Sequence, residues 1–439
     1  MKRFALIVCL MGTLVFSFGI VPSHAAEVDV LVNKLVEKGL FTREEATQLL
    51  KQMQKEDVRQ ETKIKETAEK AAKETVQKEA KTAGWAEVPK WVSRIHFKGD
   101  FRLRYQYQNI DLDNGTGTDP SRNRGRYRWR FGAVADVTKD KKWQVGFGLA
   151  SGSGDPRSTN QTFVNDFETP DARIDYAYAQ WQPVKWLKAI GGQMKNPIFK
   201  VKDLMWDSDI RPQGVAVPIN YAWSDSGTFF LNPALFVLDE YKDPDAGDPI
   251  MFVFQPGVKM KINKMLSFAV SGSYYWNSDV KGSSFKYSSG TNTTDANGAL
   301  IYNYSALSLN AKFDAKFGGP VPGAGVFGTY VNSDADDNDT GWLAGIWFGH
   351  KDYNKELWKW RIKYNYRHLE RDAWPDFLPD SDFYDGETNA KGHEFEVCLG
   401  LAKNVWFAFD YYHAMMIDYA PGSTDEPQNV VQCDFNFKF

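Results

Sequence analysis

Basic side chains recur at every second position in three stretches of this sequence. Arg102 and Arg104 form the first set, Arg124, Arg126, Arg128 and Arg130 the second, and Lys359, Arg361, Lys363 and Arg367 the third. Large apolar residues alternate with them: Phe101, Leu103 and Tyr105, then Tyr127, Trp129 and Phe131, then Trp358, Trp360, Ile362, Tyr364 and Tyr366. A period of two puts the cations on one face of an extended strand and the rings on the other. An Arg or Lys facing lipid at mid-bilayer costs roughly 2–4 kcal/mol. If these strands cross a membrane, the cationic faces must line water.

Reactive chemistry finds little support. His96, His350, His368, His393 and His413 are scattered, without metal-ligand spacing and with no cysteine beside them. There is no Gly-x-Ser-x-Gly elbow, no Walker loop and no Cys-x-x-Cys-His haem attachment. Asp334, Asp336, Asp337 and Asp339 form a loose acidic loop without the Gly and terminal Glu of an EF-hand. A solvated loop is the plainer reading, with weak binding of Ca²⁺ or of cations bridging lipopolysaccharide left open. The expectation is no enzyme, no catalytic residue, no resident metal and no cofactor. Cys398 and Cys433 fall on opposite faces of strands that have another strand between them. A disulfide needs Cα atoms within about 7 Å, so two free thiols are expected.

The totals narrow the class of protein. Aromatic residues make up 15% of the 439 and charged residues 25%, yet the mean hydropathy is −0.48. Membrane helices need roughly 20 nearly continuous apolar residues each, which excludes a helical bundle. A spanning barrel needs only alternate residues apolar. A net charge of −3 gives no reason to expect nucleic acid as partner.

Three regions follow from texture. Met1-Lys2-Arg3, the apolar run Phe4 to Val21 and Pro22-Ser23-His24-Ala25-Ala26 read as a secretory signal over 1–25. Residues 26–84 are rich in Lys, Glu, Gln and Ala. Thr42 and Glu45 make a capping box ahead of Ala46, Leu49, Leu50 and Met53. Ile64, Ala68, Ala71, Thr75, Lys78 and Thr82 then form a weak heptad seam, read as a periplasmic coiled coil or as a solvated spacer.

Residues 85–439 alternate apolar and polar in about sixteen segments, an even count of the kind that closes transmembrane barrels. Tight turns at Asp140-Lys141, Pro183-Val184-Lys185, Asn263-Lys264 and Lys403-Asn404 alternate with long polar connections. Trp91, Trp129, Trp143, Trp276, Trp358 and Trp406 suit the aromatic girdles of membrane interfaces. The fold expected is all-β, a transmembrane antiparallel β-barrel of about 16 strands, preceded by a short α-helical periplasmic segment.

Val431, Cys433, Phe435, Phe437 and Phe439 alternate with polar residues, and the sequence stops on Phe439. Here it resembles the outer-membrane porins, whose last strand ends in an aromatic read by the barrel-assembly machinery. Gly191-Gly192-Gln193-Met194-Lys195-Asn196-Pro197-Ile198-Phe199 and Leu204-Met205-Trp206-Asp207-Ser208-Asp209 look like the third-loop region of the Putative porin family of Gram-negative bacteria. That resemblance implies a diffusion pore among outer-membrane lipid and lipopolysaccharide, often a homo-oligomer such as a trimer, with an amino-terminal helical or coiled-coil segment in the periplasm.

The resemblance also implies a loop folded into the lumen, where Asp203, Asp207 and Asp209 would face the basic wall and set up a transverse field. In the alternative, the loop lies outside and the cations pair with Asp100, Asp175, Glu394 and Glu396. A net basic lumen would favour anions. A structural barrel, tethering the envelope or sheathing a partner, stands as the alternative function.

Overall fold

The computed structural model describes residues 92–110, 121–242, 247–419 and 427–439. The chain divides into two units, Met1–Lys90 and Trp91–Phe439, and everything described belongs to the second. The signal expected at 1–25, the helical segment expected at 26–84 and Trp91 lie outside the described residues.

Twenty strand segments are described. They begin with β1 (Ile95–Ile110), β2 (Ser121–Asp136), β3 (Trp143–Ala150), β4 (Gln161–Thr162), β5 (Arg173–Val184), β6 (Leu187–Gln193) and β7 (Gln213–Ala216). Next come β8 (Ile219–Ala222), β9 (Gly227–Leu231), β10 (Ala234–Val237), β11 (Ile250–Phe254), β12 (Pro256–Lys261), β13 (Leu266–Ser278) and β14 (Ala306–Lys316). The series ends with β15 (Gly323–Ser333), β16 (Thr340–Gly349), β17 (Trp360–Leu369), β18 (Ala390–Ala402), β19 (Val405–Met416) and β20 (Gln428–Lys438).

All pairings are antiparallel, and β1 pairs with β20, so the sheet closes on itself. Closure removes the unpaired edges that a membrane could not satisfy. Segments β3 and β4, β7 and β8, β9 and β10, and β11 and β12 are single crossings broken once, which leaves a barrel of 16 strands. Phe439 extends the closing seam. Its N–H donates to the Gly99 carbonyl at 3.1 Å, and its own carbonyl accepts from the Gly99 N–H at 2.9 Å. A Cβ on Gly99 would lie 2.6 Å from the Phe439 ring, so only glycine seats that ring.

The period of two sorts the faces as the sequence suggests. On β1, Phe97 is 61% exposed and Tyr105 50%, whereas Arg104 and Gln106 are buried. Phe147, Val215, Leu235, Phe252, Val270, Leu307, Leu309, Val326 and Phe435 continue the exposed apolar belt. So much outward apolar surface calls for lipid rather than water. Trp143, Trp276 and Trp358 are exposed with it. Trp406 corrects the expected girdle. Phe407 pairs with Phe435, and the alternation leaves Trp406 buried, edge-on to Tyr353 with Lys438 Nζ 5.3 Å from its centroid.

Short turns join the strands at the end where β1 begins, among them 185–186, 262–265 and 403–404. Asn263 shapes one of them, its Oδ1 accepting from the N–H groups of Met265 and Leu266 at 2.8 Å. Long connections, 151–172 (interrupted by the two residues of β4), 194–212, 279–305 and 370–389, gather at the other end.

Three neighbouring crossings break in register: at Val217-Pro218, at Asn232-Pro233 and at Gln255 before Pro256. Proline has no N–H for the ladder, and the row of gaps frees polar side chains for other work. Gln255, fully buried, accepts from the Phe199 N–H at 2.7 Å and from Asn232 Nδ2 at 2.9 Å. Its Nε2 donates to the Phe199 carbonyl and to Ser273 Oγ, both at 2.9 Å. The gaps thus moor the connection 194–212 to the inner wall.

The interior is not uniformly wet. Phe236, Met251, Val253, Tyr275, Val331, Leu343 and Leu369 point inward and form one apolar core with loop residues. These are Met194, Ile198, Leu204, Met205, Trp206 and Ile210 from one loop, and Trp374, Phe377 and Leu378 from another. One sector of the barrel is therefore a dry seat for loops. The β1–β2 ladder occupies another, whereas the cations of β17 adjoin the core, Arg367 pairing with Leu343 across the sheet.

Candidate functional site

The β1–β2 register sets Arg102 opposite Arg128 and Arg104 opposite Arg126. Like charges facing across a ladder repel, so acids must come between them from elsewhere. Asp434 of β20 takes Arg104 through two contacts of 2.8 Å and lies 3.4 Å from Arg102. Asp382, from the connection 370–389, takes Arg104 Nη1 at 2.9 Å. Asp100 holds Arg128 at 2.8 Å, and Asp209 holds Arg130 at 2.9 Å. Arg124 and Arg126 differ. They donate to Gln108 at 2.8 Å and to Gln106 at 3.0 Å, and no carboxylate among the described residues lies at ion-pair distance from either.

On β17, Arg361 and Lys363 share Glu396, at 2.7 and 3.3 Å. Arg367 lies 3.0 Å from Asp203 and 3.3 Å from Asp380, and it also bonds Glu394. Lys359 stands apart from this ladder. It precedes β17 in a turn where Trp358 has a φ of 63°, and its Nζ pairs with Glu356 at 2.7 Å.

The connection 194–212 touches strands all round the ring, which it can do only through the interior. Asp209 reaches β2 and Asp203 reaches β17, while the Phe199 ring packs against Phe230 at 5.4 Å and Trp206 against Phe236 at 6.1 Å. Asp203 and Asp209 thus meet cations of the wall. Asp207 does not. Its Oδ2 accepts from the Ser381 N–H at 2.9 Å, and its own N–H donates to the Leu378 carbonyl at 2.7 Å, so it ties two loops together. The acids weighed as the alternative partners are used as well. Asp100, Asp175, Glu394 and Glu396 all pair with Arg or Lys, so the pairings of that alternative occur although its loop outside the barrel does not.

Asp203, Asp380 and Glu394 bring their oxygens within 4.8 Å of one another. Cations already occupy the space between them: Arg367 contacts all three, and Lys202 lies 2.8 Å from Asp203 and 2.9 Å from Glu394. Asp380 lies in a loop rather than in a spanning strand. Burial, and then the neighbouring charge of Asp203, push its carboxyl up to about 7, against the pull of Arg367 and Lys202. Asp207 is also raised, by burial and by the Asp209 charge.

Sequence reasoning missed the residues that stitch the loops. Arg157 Nη1 donates to Ser289 Oγ, the Asp376 carbonyl and the Gly386 carbonyl at 3.0–3.2 Å, linking three connections. Asp376 Oδ2 accepts from Ser288 Oγ and the Thr291 N–H, both at 2.9 Å. Trp374, fully buried, donates Nε1 to the Met205 carbonyl at 2.6 Å. These contacts join residues tens to hundreds of positions apart, and no short-range pattern announces them. Beside the loops lies a cavity of about 550 Å³, lined by Asp155, Arg173, Asp175, Asp209, Arg211 and Glu240 together with Tyr287 and Phe377.

Residues 63–121, 109–307 and 295–439 match the family model described as Putative porin. No curated protein matches the chain. Among solved structures it is similar to OprB of Pseudomonas putida, with 12% identity over 79% of this chain and 95% of that one and a TM-score of 0.51. A mutant porin of Rhodopseudomonas blastica aligns at 11% identity over 79% and 100% of the two chains, with a TM-score of 0.44. At such identities the likeness to OprB speaks for the fold alone, and the blastica match adds no argument. With its closed barrel of alternating faces and a family match spanning 63–439, this chain belongs to the Putative porin family of outer-membrane channels.

Proposed function

We propose that the barrel passes small hydrophilic solutes by passive diffusion through a water-filled path along the β1–β2 wall, with a preference for anions. The observation that carries this reading is the surplus of cations on that wall. Arg102, Arg104, Arg128 and Arg130 have carboxylate partners, while Arg124 and Arg126 have glutamines. An uncompensated guanidinium inside a low-dielectric wall raises the local concentration of anions. The dry core around Trp206 and Trp374 supports a path displaced from the barrel axis, narrower than the strand number alone would give.

Purified protein inserted in a planar bilayer under a salt gradient tests the reading. Ohmic single-channel current with a reversal potential on the chloride side is expected. Silence, or a cation-selective potential, contradicts it. On the same reading Phe439, paired with Gly99 at the seam, is the assembly signal, and residues 26–84 lie in the periplasm.

A further inference from the structure

Nearer the short-turn end, the inner faces of β14 to β17 frame a second cavity, of about 180 Å³. Four cations line it and share two carboxylates. Lys351 lies 3.1 Å from Asp314, while Arg361 and Lys363 share Glu396. Lys312 has no carboxylate at ion-pair distance among the described residues; its Nζ stands 5.8 Å from the centroid of the Phe199 ring. Arg361 Nε, buried, also lacks an acceptor. A recess with surplus positive charge holds anions more firmly than an open surface does, because salt screens it less.

Two rings line the same recess in a particular setting. In the β15–β16 ladder Phe327 faces Gly345, and Trp347 faces Gly325. A Cβ on Gly345 would fall 2.4 Å from the Phe327 ring, and one on Gly325 would fall 2.3 Å from Trp347 Nε1. Each ring therefore lies down over a glycine instead of standing into the bore, and Trp347 is fixed there by donating to Asp314 at 3.1 Å. Cations and a flat apolar shelf meet in one small space.

We propose that this recess binds a single-ring organic acid, with its carboxylate on Lys312 and Lys363 and its ring on the Phe327–Trp347 shelf. The volume sets the class: it is below the roughly 300 Å³ of ordinary drug-sized pockets, so one ring enters and an oligosaccharide does not. The proposal deepens the pore reading, on which it rests for the solute's route.

Ligand-observed nuclear magnetic resonance on the detergent-solubilised full-length protein provides the test. The probes are benzoate and glucuronate, with benzyl alcohol and glucose as their uncharged counterparts. At least one acid should bind about tenfold or more tightly than its counterpart, as a charge-assisted contact requires. Stronger binding of benzoate identifies an aromatic acid, and of glucuronate a uronic acid. Lys312→Gln, which breaks no ion pair, should weaken that acid by about tenfold, and Lys312→Arg should restore it. Equal binding of acids and counterparts, or binding unchanged in both Lys312→Gln and Lys363→Gln, overturns the proposal. Since no current is read, a barrel silent in bilayers that still binds the acid defeats only the pore reading. A conducting barrel that binds neither acid defeats only this site.

Discussion

Arg124 and Arg126 are the residues on which ion preference turns. Replacing both by Gln keeps a polar wall and removes the surplus charge, so the anion-over-cation permeability ratio should fall at least about twofold, read as a shifted reversal potential. Arg367 plays a different part. Arg367→Met takes from buried Asp203 and Glu394 one of the two cations they share, Lys202 being the other, and breaking such a pair costs about 3–5 kcal/mol, visible as a lower unfolding temperature in detergent. Asp380 supplies a pH dependence. Its folded value of about 7 lies above its unfolded value, so folding retains its proton between roughly pH 4 and pH 7 and stability falls as pH rises through that window. Asp203 and Asp209 are held low by Lys202 and Arg130 and do not titrate there. Unfolding temperature should therefore be higher near about pH 5.5 than near about pH 8, and the difference should shrink in Asp380→Asn, with Asp207, raised in the same direction, carrying a remainder. The cation ladders could be read from sequence because alternation is local. Their partners Asp382 and Asp434 could not, since those depend on loop paths and on closure.

Among the elements, the connection 194–212 has the largest consequence, and Gln255 holds it. Four hydrogen bonds of 2.7–2.9 Å converge on that side chain. At about 1 kcal/mol each, Gln255→Leu should loosen the loop, giving larger and noisier single-channel currents. Unaltered current would show that the loop is held elsewhere. One sign of it stands in the sequence without having been used: the run Ile250 to Phe254 is apolar at every position, so its inner side is apolar as well as its outer, and its inward members Met251 and Val253 line the core that seats the loop. The proline-aligned gaps were not legible, because their meaning depends on three crossings lying in register. Lys359 shows the opposite failure: it keeps the alternating parity of Arg361, but the turn ends the ladder before it.

For the molecule as a whole, closure, strand number and the sorting of faces followed from a period of two, an even count and one charged face. The same reading took the entire interior to be wet, since alternation says which face is inner and nothing about what loops will cover. On the proposed path, water and ions follow the β1–β2 wall while the sector around Leu343 stays dry. Two cysteine variants, Arg126→Cys and Leu343→Cys, measure this directly in open channels exposed to an anionic methanethiosulfonate. Of the native thiols among the described residues, Cys398 is buried and Cys433 lies on the lipid-facing side of β20. Rapid modification and a lasting drop in chloride current are expected for Arg126→Cys, and no change for Leu343→Cys. Equal reaction at both positions, or reaction at Leu343→Cys alone, would contradict the proposed path.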